Sequence, residues 1–244
     1  MRVHFLGTGG YHPNERRHTA CIMLPETGVI FDAGTSFFRV AGRLATRELH
    51  IFLSHAHLDH IAGLTNFLVP MSSGMVDKVC LYSAAEYLDA VKTHLFATAV
   101  FPVLPGYEFR ILDDCVPLPA MGVLTHCPLN HPGGSLGYRL DWPGKSLAYI
   151  TDTVADGSYT NFLRGVDLLI HECNFPDESV VWADKTGHSY TSAVARVARD
   201  AGVKRLVLTH FDPRHPEDDP IGLELARSIF PATELSHDLM EIEF

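Results

Sequence analysis

This 244-residue chain is short of several things, and each shortage narrows what it does. Positive charge comes first: 19 lysines and arginines face 29 aspartates and glutamates, a formal charge of −10. A protein that grips a long polynucleotide neutralises several phosphates with Lys and Arg, so a small substrate is expected and long nucleic acid is not. Cysteine is scarce too. Cys21, Cys80, Cys115, Cys127 and Cys173 are odd in number and scattered, with no CxxC pair, which fits reduced thiols in a cytoplasm better than a disulfide framework. No apolar run approaches the roughly 20 residues that span a bilayer, so no membrane partner is expected. The N-terminal MRVHFLGTGG lacks the pattern of a cleaved signal peptide and reads as a strand entering a glycine turn. Gly7-Thr8-Gly9-Gly10 lacks the GxGxxG spacing and no helical pattern follows it, so a tight turn is expected rather than a phosphate cradle. No linker or low-complexity stretch interrupts the chain, and residues 1–244 read as a single domain. With 46% hydrophobic residues and a mean hydropathy of +0.07, the chain can bury a full core.

What is present is concentrated in residues 51–64, IFLSHAHLDHIAGL. An apolar strand-like run ends at Ser54 and delivers His55, His57, Asp59 and His60. Neutral imidazole and carboxylate oxygen suit zinc, manganese and iron. His55 and His57, spaced i, i+2 in extended backbone, point to one side and can share an ion. Asp59 and His60 follow as the chain turns helical and can face a second. This is a metal site on its donor set alone.

HxHxDH after an apolar strand resembles the signature of the metallo-β-lactamase superfamily of hydrolases. The resemblance implies an α/β fold, a four-layer αββα sandwich, with up to two divalent ions at one edge and further ligands from later strand ends. Those ends exist: His131 closes GVLTHCPLNH, Asp152 closes SLAYITD and His210 closes KRLVLTH. Each alone reads as a turn residue; in this order after HxHxDH they match the family pattern. The resemblance then implies that His55, His57 and His131 hold one ion, that Asp59, His60 and His210 hold the other, and that Asp152 bridges them beside a hydroxide. The ions it implies are zinc, or else manganese or iron.

Residues 186–214, TGHSYTSAVARVARDAGVKRLVLTHFDPR, resemble the C-terminal region of the RNase Z-like branch. There the resemblance implies that His188 is catalytic and that Glu172 orients it, with Asp59 orienting or deprotonating the nucleophile. It also implies a homodimer. Between His131 and Asp152, where bacterial members of that branch insert a tRNA-clamping arm, this chain has room only for a hairpin turning at Pro143-Gly144. The chemistry of the branch therefore points to a phosphodiesterase acting on a small or cyclic anionic ester. The rival readings are a tRNA 3′-processing endonuclease, a thioester, lactone or sulfate-ester hydrolase, and a metal-binding scaffold with a vestigial site.

Elsewhere the reading is of strands interleaved with helices in each half, as an internal duplication would give. CIML and GVIFDAG read as strands joined at Pro25–Gly28, with Asp32 structural as in the family's similar Asp-Ala-Gly. Residues 36–49 have helical spacing with Phe38 and Leu44 among the apolar positions, and 61–70 read as a helix stopped by Pro70. The helix after His188 is expected to be capped by Ser189 or Thr191 and to end at Gly202. His12, Arg16, Arg17 and His18 face either site or solvent, His94 reads as a surface or core-edge histidine, and His171 as structural. The segment 97–106, broken by Pro102 and Pro105, reads as a cover for the site, a subunit contact or a core loop, and the loop 174–185, with Trp182, as able to shape a pocket along with 102–106.

Overall fold

Runs of valine, isoleucine, leucine and aromatic residues, punctuated by glycine and proline, build two seven-stranded sheets in the computed structural model, which describes residues 1–244. The chain divides into two compact units, Met1–Asp113 with Asp238–Glu243, and Asp114–His237 with Phe244.

In the first unit β1 (Arg2–Gly7), β2 (Cys21–Leu24), β3 (Val29–Phe31), β4 (Glu48–Phe52), β5 (Lys78–Ser83) and β6 (Glu108–Ile111) lie side by side in chain order. The C-terminal strand Met240–Glu243 pairs with β1 at the other edge. That strand, β1, β2 and β3 pair antiparallel, and β3 through β6 pair parallel. β2 and β3 are buried along their whole length, so their apolar runs are continuous rather than alternating. Helices α1 (Leu58–Ile61), α2 (Leu68–Ser72) and α3 (Ala85–Ala90) belong to the same unit, whose core includes Leu6, Ile30, Ile51, Leu64 and Phe67.

Two local expectations change here. Residues 36–49 form no α-helix: they hold a 3-10 turn, Phe37–Arg43, and then enter β4 at Glu48. Phe37 and Val40, three apart, are the turn's buried pair, as a three-residue repeat places them, while Phe38 is 50% exposed. Pro70 does not stop a helix. It sits in the first turn of α2, where its missing N–H costs nothing, and the helix ends before Gly74 at φ +71. Residues 97–106 are irregular and leave Val100, Val103 and Leu104 exposed, so they are not a core loop. His94 is at the surface.

The second unit repeats the pairing pattern. β7 (Cys115–Leu118), β8 (Gly122–Leu129), β9 (Ser135–Trp142) and β10 (Lys145–Ile150) pair antiparallel, and β10, β11 (Leu168–Glu172), β12 (Arg205–Thr209) and β13 (Thr233–Leu235) pair parallel. Three antiparallel pairings followed by three parallel ones in both sheets is the topology a duplication predicts. β9 and β10 form the expected hairpin, turning at Gly144 with φ +77. Helices α4 (Val180–Thr186), α5 (Thr191–Ala201) and α6 (Leu223–Ile229) complete the unit; α4 and a 3-10 turn at Asp177–Ser179 occupy most of the segment 174–185 expected to be a loop. α5 buries Ala193, Val194, Val197 and Ala198 and ends at Gly202 in the left-handed conformation. Its cap is neither Ser189 nor Thr191. Ser189 Oγ donates to the Thr153 carbonyl at 2.6 Å and Thr191 Oγ1 to that of Ile221, while Asp177 accepts the Ser192 N–H at 2.8 Å. No helix in the chain is long and apolar enough to cross a membrane.

Candidate metal centre

The first unit assembles four donor side chains where parallel strands end. β4 leads through Ser54 to His55, and His57 precedes α1, which carries Asp59 and His60 in a single turn. The His55 ring centroid lies 4.3 Å from that of His57 and 4.4 Å from that of His60. Asp32, just past β3, organises them. Its fully buried carboxylate accepts the Ser54 N–H at 2.7 Å, the Ser54 hydroxyl at 3.0 Å and His60 Nδ1–H at 2.8 Å. The Ser54 hydroxyl also sits 3.0 Å from His55 Nδ1. A carboxylate on Nδ1 fixes the His60 tautomer and leaves Nε2 the lone pair that a metal ligand needs. Asp32 is thus more than the structural residue expected, and it holds a left-handed φ of +56 to reach its partners. The Tyr11 N–H donates to Asp59 Oδ2 at 2.8 Å. Gly34, in the same Asp-Ala-Gly, lets α1 close in, since a Cβ there would lie 2.3 Å from the Asp59 carbonyl oxygen.

The second unit brings together five predicted residues. His131 follows β8, Asp152 follows β10 and His210 follows β12, all buried or nearly so. Asp152 and His210 take positive φ, +40 and +61, a cost that clusters at functional sites. His131 Nδ1–H donates to the Gly187 carbonyl at 2.9 Å, and the Asn174 amide donates to the His210 carbonyl at 2.9 Å. Asp152 divides its oxygens: Oδ2 lies 3.7 Å from His131 Nε2 and Oδ1 lies 3.2 Å from His210 Nε2.

Glu172, the last residue of β11, is fully buried and saturated with donors. Oε1 accepts the Thr153 N–H and His188 Nδ1–H, both at 2.9 Å. Oε2 accepts the N–H groups of Asn174 at 3.1 Å and Ser189 at 3.2 Å. Burial works to raise its pKa, but the neighbouring His188 and His210 outweigh it and hold the carboxyl below its usual range. The His188 ring centroid sits 5.1 Å from that of His131 and 5.6 Å from that of His210. Burial lowers the pKa of His131, with Asp152 opposing, so its neutral, ligating form is favoured.

The donors fit divalent ions by distance as well as by kind. Two ligands about 2.0–2.1 Å from a tetrahedral zinc lie about 3.3 Å from each other. His60 Nε2 and Asp59 Oδ2 are 3.4 Å apart, and the His210–Asp152 pair 3.2 Å. His171 is structural as expected: its ring is buried, Nδ1–H donating to the Glu172 carbonyl at 2.7 Å and Nε2 accepting from Tyr159 at 2.8 Å. Of the N-terminal loop residues, His12 and Arg16 are exposed, Arg17 is buried and His18 half-buried. Asp32, Ser54, Asn174 and the Gly187 carbonyl are the parts that motif spacing does not reveal, because each acts by orienting a histidine distant in sequence.

Comparison with known proteins agrees with this fold. The β-lactamase superfamily domain matches residues 27–211. Ribonuclease Z of Methanosarcina acetivorans is 28% identical over 298 aligned residues, covering 100% of this chain and 98% of that protein. Ribonuclease Z of Salinibacter ruber is 31% identical over 299, covering 98% and 92%. Both alignments are far longer than this chain's 244 residues. Among solved structures, the metallo-β-lactamase fold protein YhfI of Bacillus subtilis superposes with a TM-score of 0.83 at 20% identity, covering 99% of each chain. Short-form human tRNase Z gives 0.76 at 24% identity, covering 100% and 99%, and a diphosphatase of the PhnP family gives 0.75 at 22%, covering 100% and 98%. The fold is therefore the α/β sandwich of these proteins, and the chain belongs to the metallo-β-lactamase superfamily of hydrolases, in its RNase Z-like branch.

Proposed function

We propose that this hydrolase is a phosphodiesterase acting on a small or cyclic phosphodiester, and that its two units work as one catalytic domain. The observation that carries the reading is the His188 imidazole, oriented by the buried Glu172 carboxylate and grouped with His210. In this reading His55, His57 and His131 hold one divalent ion and Asp59, His60 and His210 the other, with Asp152 shared. Zinc suits the donors best, manganese or iron being the alternatives. Such ions supply Lewis acidity toward phosphoryl oxygens and a water acidic enough to be nucleophilic near neutrality.

The chain's own residues do the rest. Asp59, held by the Tyr11 N–H, orients the attacking water and accepts its proton. His188, protonated at Nε2, hands a proton to the leaving oxygen or stabilises its developing charge. Glu172 remains ionised throughout and stabilises the imidazolium, as its depressed pKa favours. A small substrate is supported by the hairpin that alone occupies the interval from His131 to Asp152, and by the charge of −10. A homodimer and a cytoplasmic setting complete the reading.

The test is turnover of bis(p-nitrophenyl) phosphate by zinc-reconstituted protein, with His188→Ala alongside. Turnover that collapses in the variant supports the reading. Full zinc loading without turnover overturns it and moves thioesters, lactones and sulfate esters forward. The relatives named ribonuclease Z favour a second reading, tRNA 3′-end cleavage, and precursor tRNA cut at nanomolar protein would establish that one instead.

A further inference from the structure

The glycine turn after β1 carries a residue that neither the fold nor metal ligation explains. Tyr11 follows Gly9 and Gly10 at φ +56, a conformation bulky side chains rarely adopt. Its N–H donates to Asp59 Oδ2, while its ring is 79% exposed. A glycine would hold the same backbone and offer the same N–H without strain and without an aromatic ring in water. Its ring meets that of His12, also exposed, with centroids 5.2 Å apart and planes tilted by 59°.

The turn beneath the pair is braced. Gly9 N–H donates to the His18 carbonyl at 2.9 Å, His12 N–H to that of Gly10 at 2.7 Å and Asn14 N–H to that of Arg17 at 2.9 Å. The Asn14 side chain in turn accepts the N–H groups of Arg16 and Arg17 at 2.9 and 2.8 Å. Thr8 is tied to Asp238 by both its N–H and its hydroxyl, at 3.0 and 2.9 Å. The aromatic pair is therefore presented on an ordered loop, one hydrogen bond from a carboxylate of the candidate metal centre, and ordering it in advance lowers the cost of binding.

We infer that Tyr11, with His12 beside it, is a stacking platform for a planar aromatic group carried by the ester, the heteroaromatic base of a nucleotide-type substrate. The inference rests on the phosphodiester reading of the Asp59 site. Stacking tolerates any base, since every base has a π face. The protein thus prefers base-bearing to base-free phosphates and discriminates little among bases.

Calorimetric titration of zinc-reconstituted protein with adenosine 5′-monophosphate and with ribose 5-phosphate tests this by binding alone. The parent binds the nucleotide about 5- to 150-fold more tightly than the sugar phosphate. Tyr11→Phe keeps that ratio, and Tyr11→Gly, which retains the backbone and its N–H, brings it close to one. Equal affinities in the parent, no nucleotide binding at millimolar concentration, or a ratio that survives in Tyr11→Gly each overturn the inference. A thermal midpoint for Tyr11→Gly at or above the parent's establishes that the variant is folded. Turnover of bis(p-nitrophenyl) phosphate is read separately, so a failure of the diester chemistry is distinguished from a failure of the platform.

Discussion

Replacing Glu172 by glutamine removes a charge and almost no volume, yet the structure makes it a severe change. The two carboxylate oxygens accept four donors, Thr153 N–H and His188 Nδ1–H on one side and Asn174 N–H and Ser189 N–H on the other. A glutamine presents one oxygen and one NH2, so two donors lose their acceptor whichever way it turns. With the NH2 toward Asn174 and Ser189, two backbone N–H groups are orphaned. With it toward His188, the imidazole can shift its proton to Nε2 and accept at Nδ1, leaving only the Thr153 N–H unsatisfied. That second arrangement costs least. It forfeits a charge-assisted hydrogen bond, about 1.5–3 kcal/mol, and buries one orphan donor, about 1–3 kcal/mol. A loss of about 2.5–6 kcal/mol is expected, which lowers the melting temperature by about 5–24 °C for a chain of this size. In the surviving protein His188 stays neutral, a far weaker acid at Nε2, because no carboxylate stands behind Nδ1 to stabilise the imidazolium. Turnover of bis(p-nitrophenyl) phosphate should then fall by about 10²–10⁴, the usual worth of a positioned acid or base. Calorimetric melting and steady-state kinetics on the same preparation provide the two readouts. A melting temperature within a degree of the parent would refute the saturation argument. A lowered melting temperature with activity within twofold would refute the positioning of His188.

Other consequences can be checked with the same material. Asp32→Asn keeps a residue that tolerates φ +56 but weakens the partner of His60 Nδ1; metal affinity measured against a competing chelator should drop about 10- to 100-fold, and unchanged affinity would remove Asp32 from the site. Gly187→Ala would place a Cβ 2.2 Å from Pro132 Cδ at φ +74 and push away the carbonyl that holds His131, so weaker metal binding and a lower melting temperature are expected together. Burial lowers the pKa of His171 within the fold. The unfolded chain, with an ordinary value near 6.5, therefore binds that proton first on acidification, so the stability is complete above about pH 6.5 and declines below it. A urea midpoint for metal-free protein that stays flat or rises from pH 7 to 5.5 would contradict this.

The seven candidate ligands were legible because metal chemistry restricts donor types and strand ends restrict where they stand. His131, Asp152 and His210 do follow strands, and Glu172 does meet His188. Helix details were less legible. Residues 36–49 have enough apolar positions for a helix, but the pair that packs, Phe37 and Val40, is three apart and the chain takes a 3-10 turn. Nor could a proline's place be judged from the run containing it, since Pro70 is harmless in a first turn and disruptive beyond it.

By itself, then, the sequence determined the family, the candidate donors and the order of strands and turns, because each rests on residue identity and short-range spacing. Only the tertiary structure decided which polar groups hold those donors. Asp32 meets Ser54 and His60, and Gly187 meets His131, across separations of 22, 28 and 56 residues. Periodicity carries no signal at such range. What assigns these partners is burial, which requires every polar group removed from water to find another.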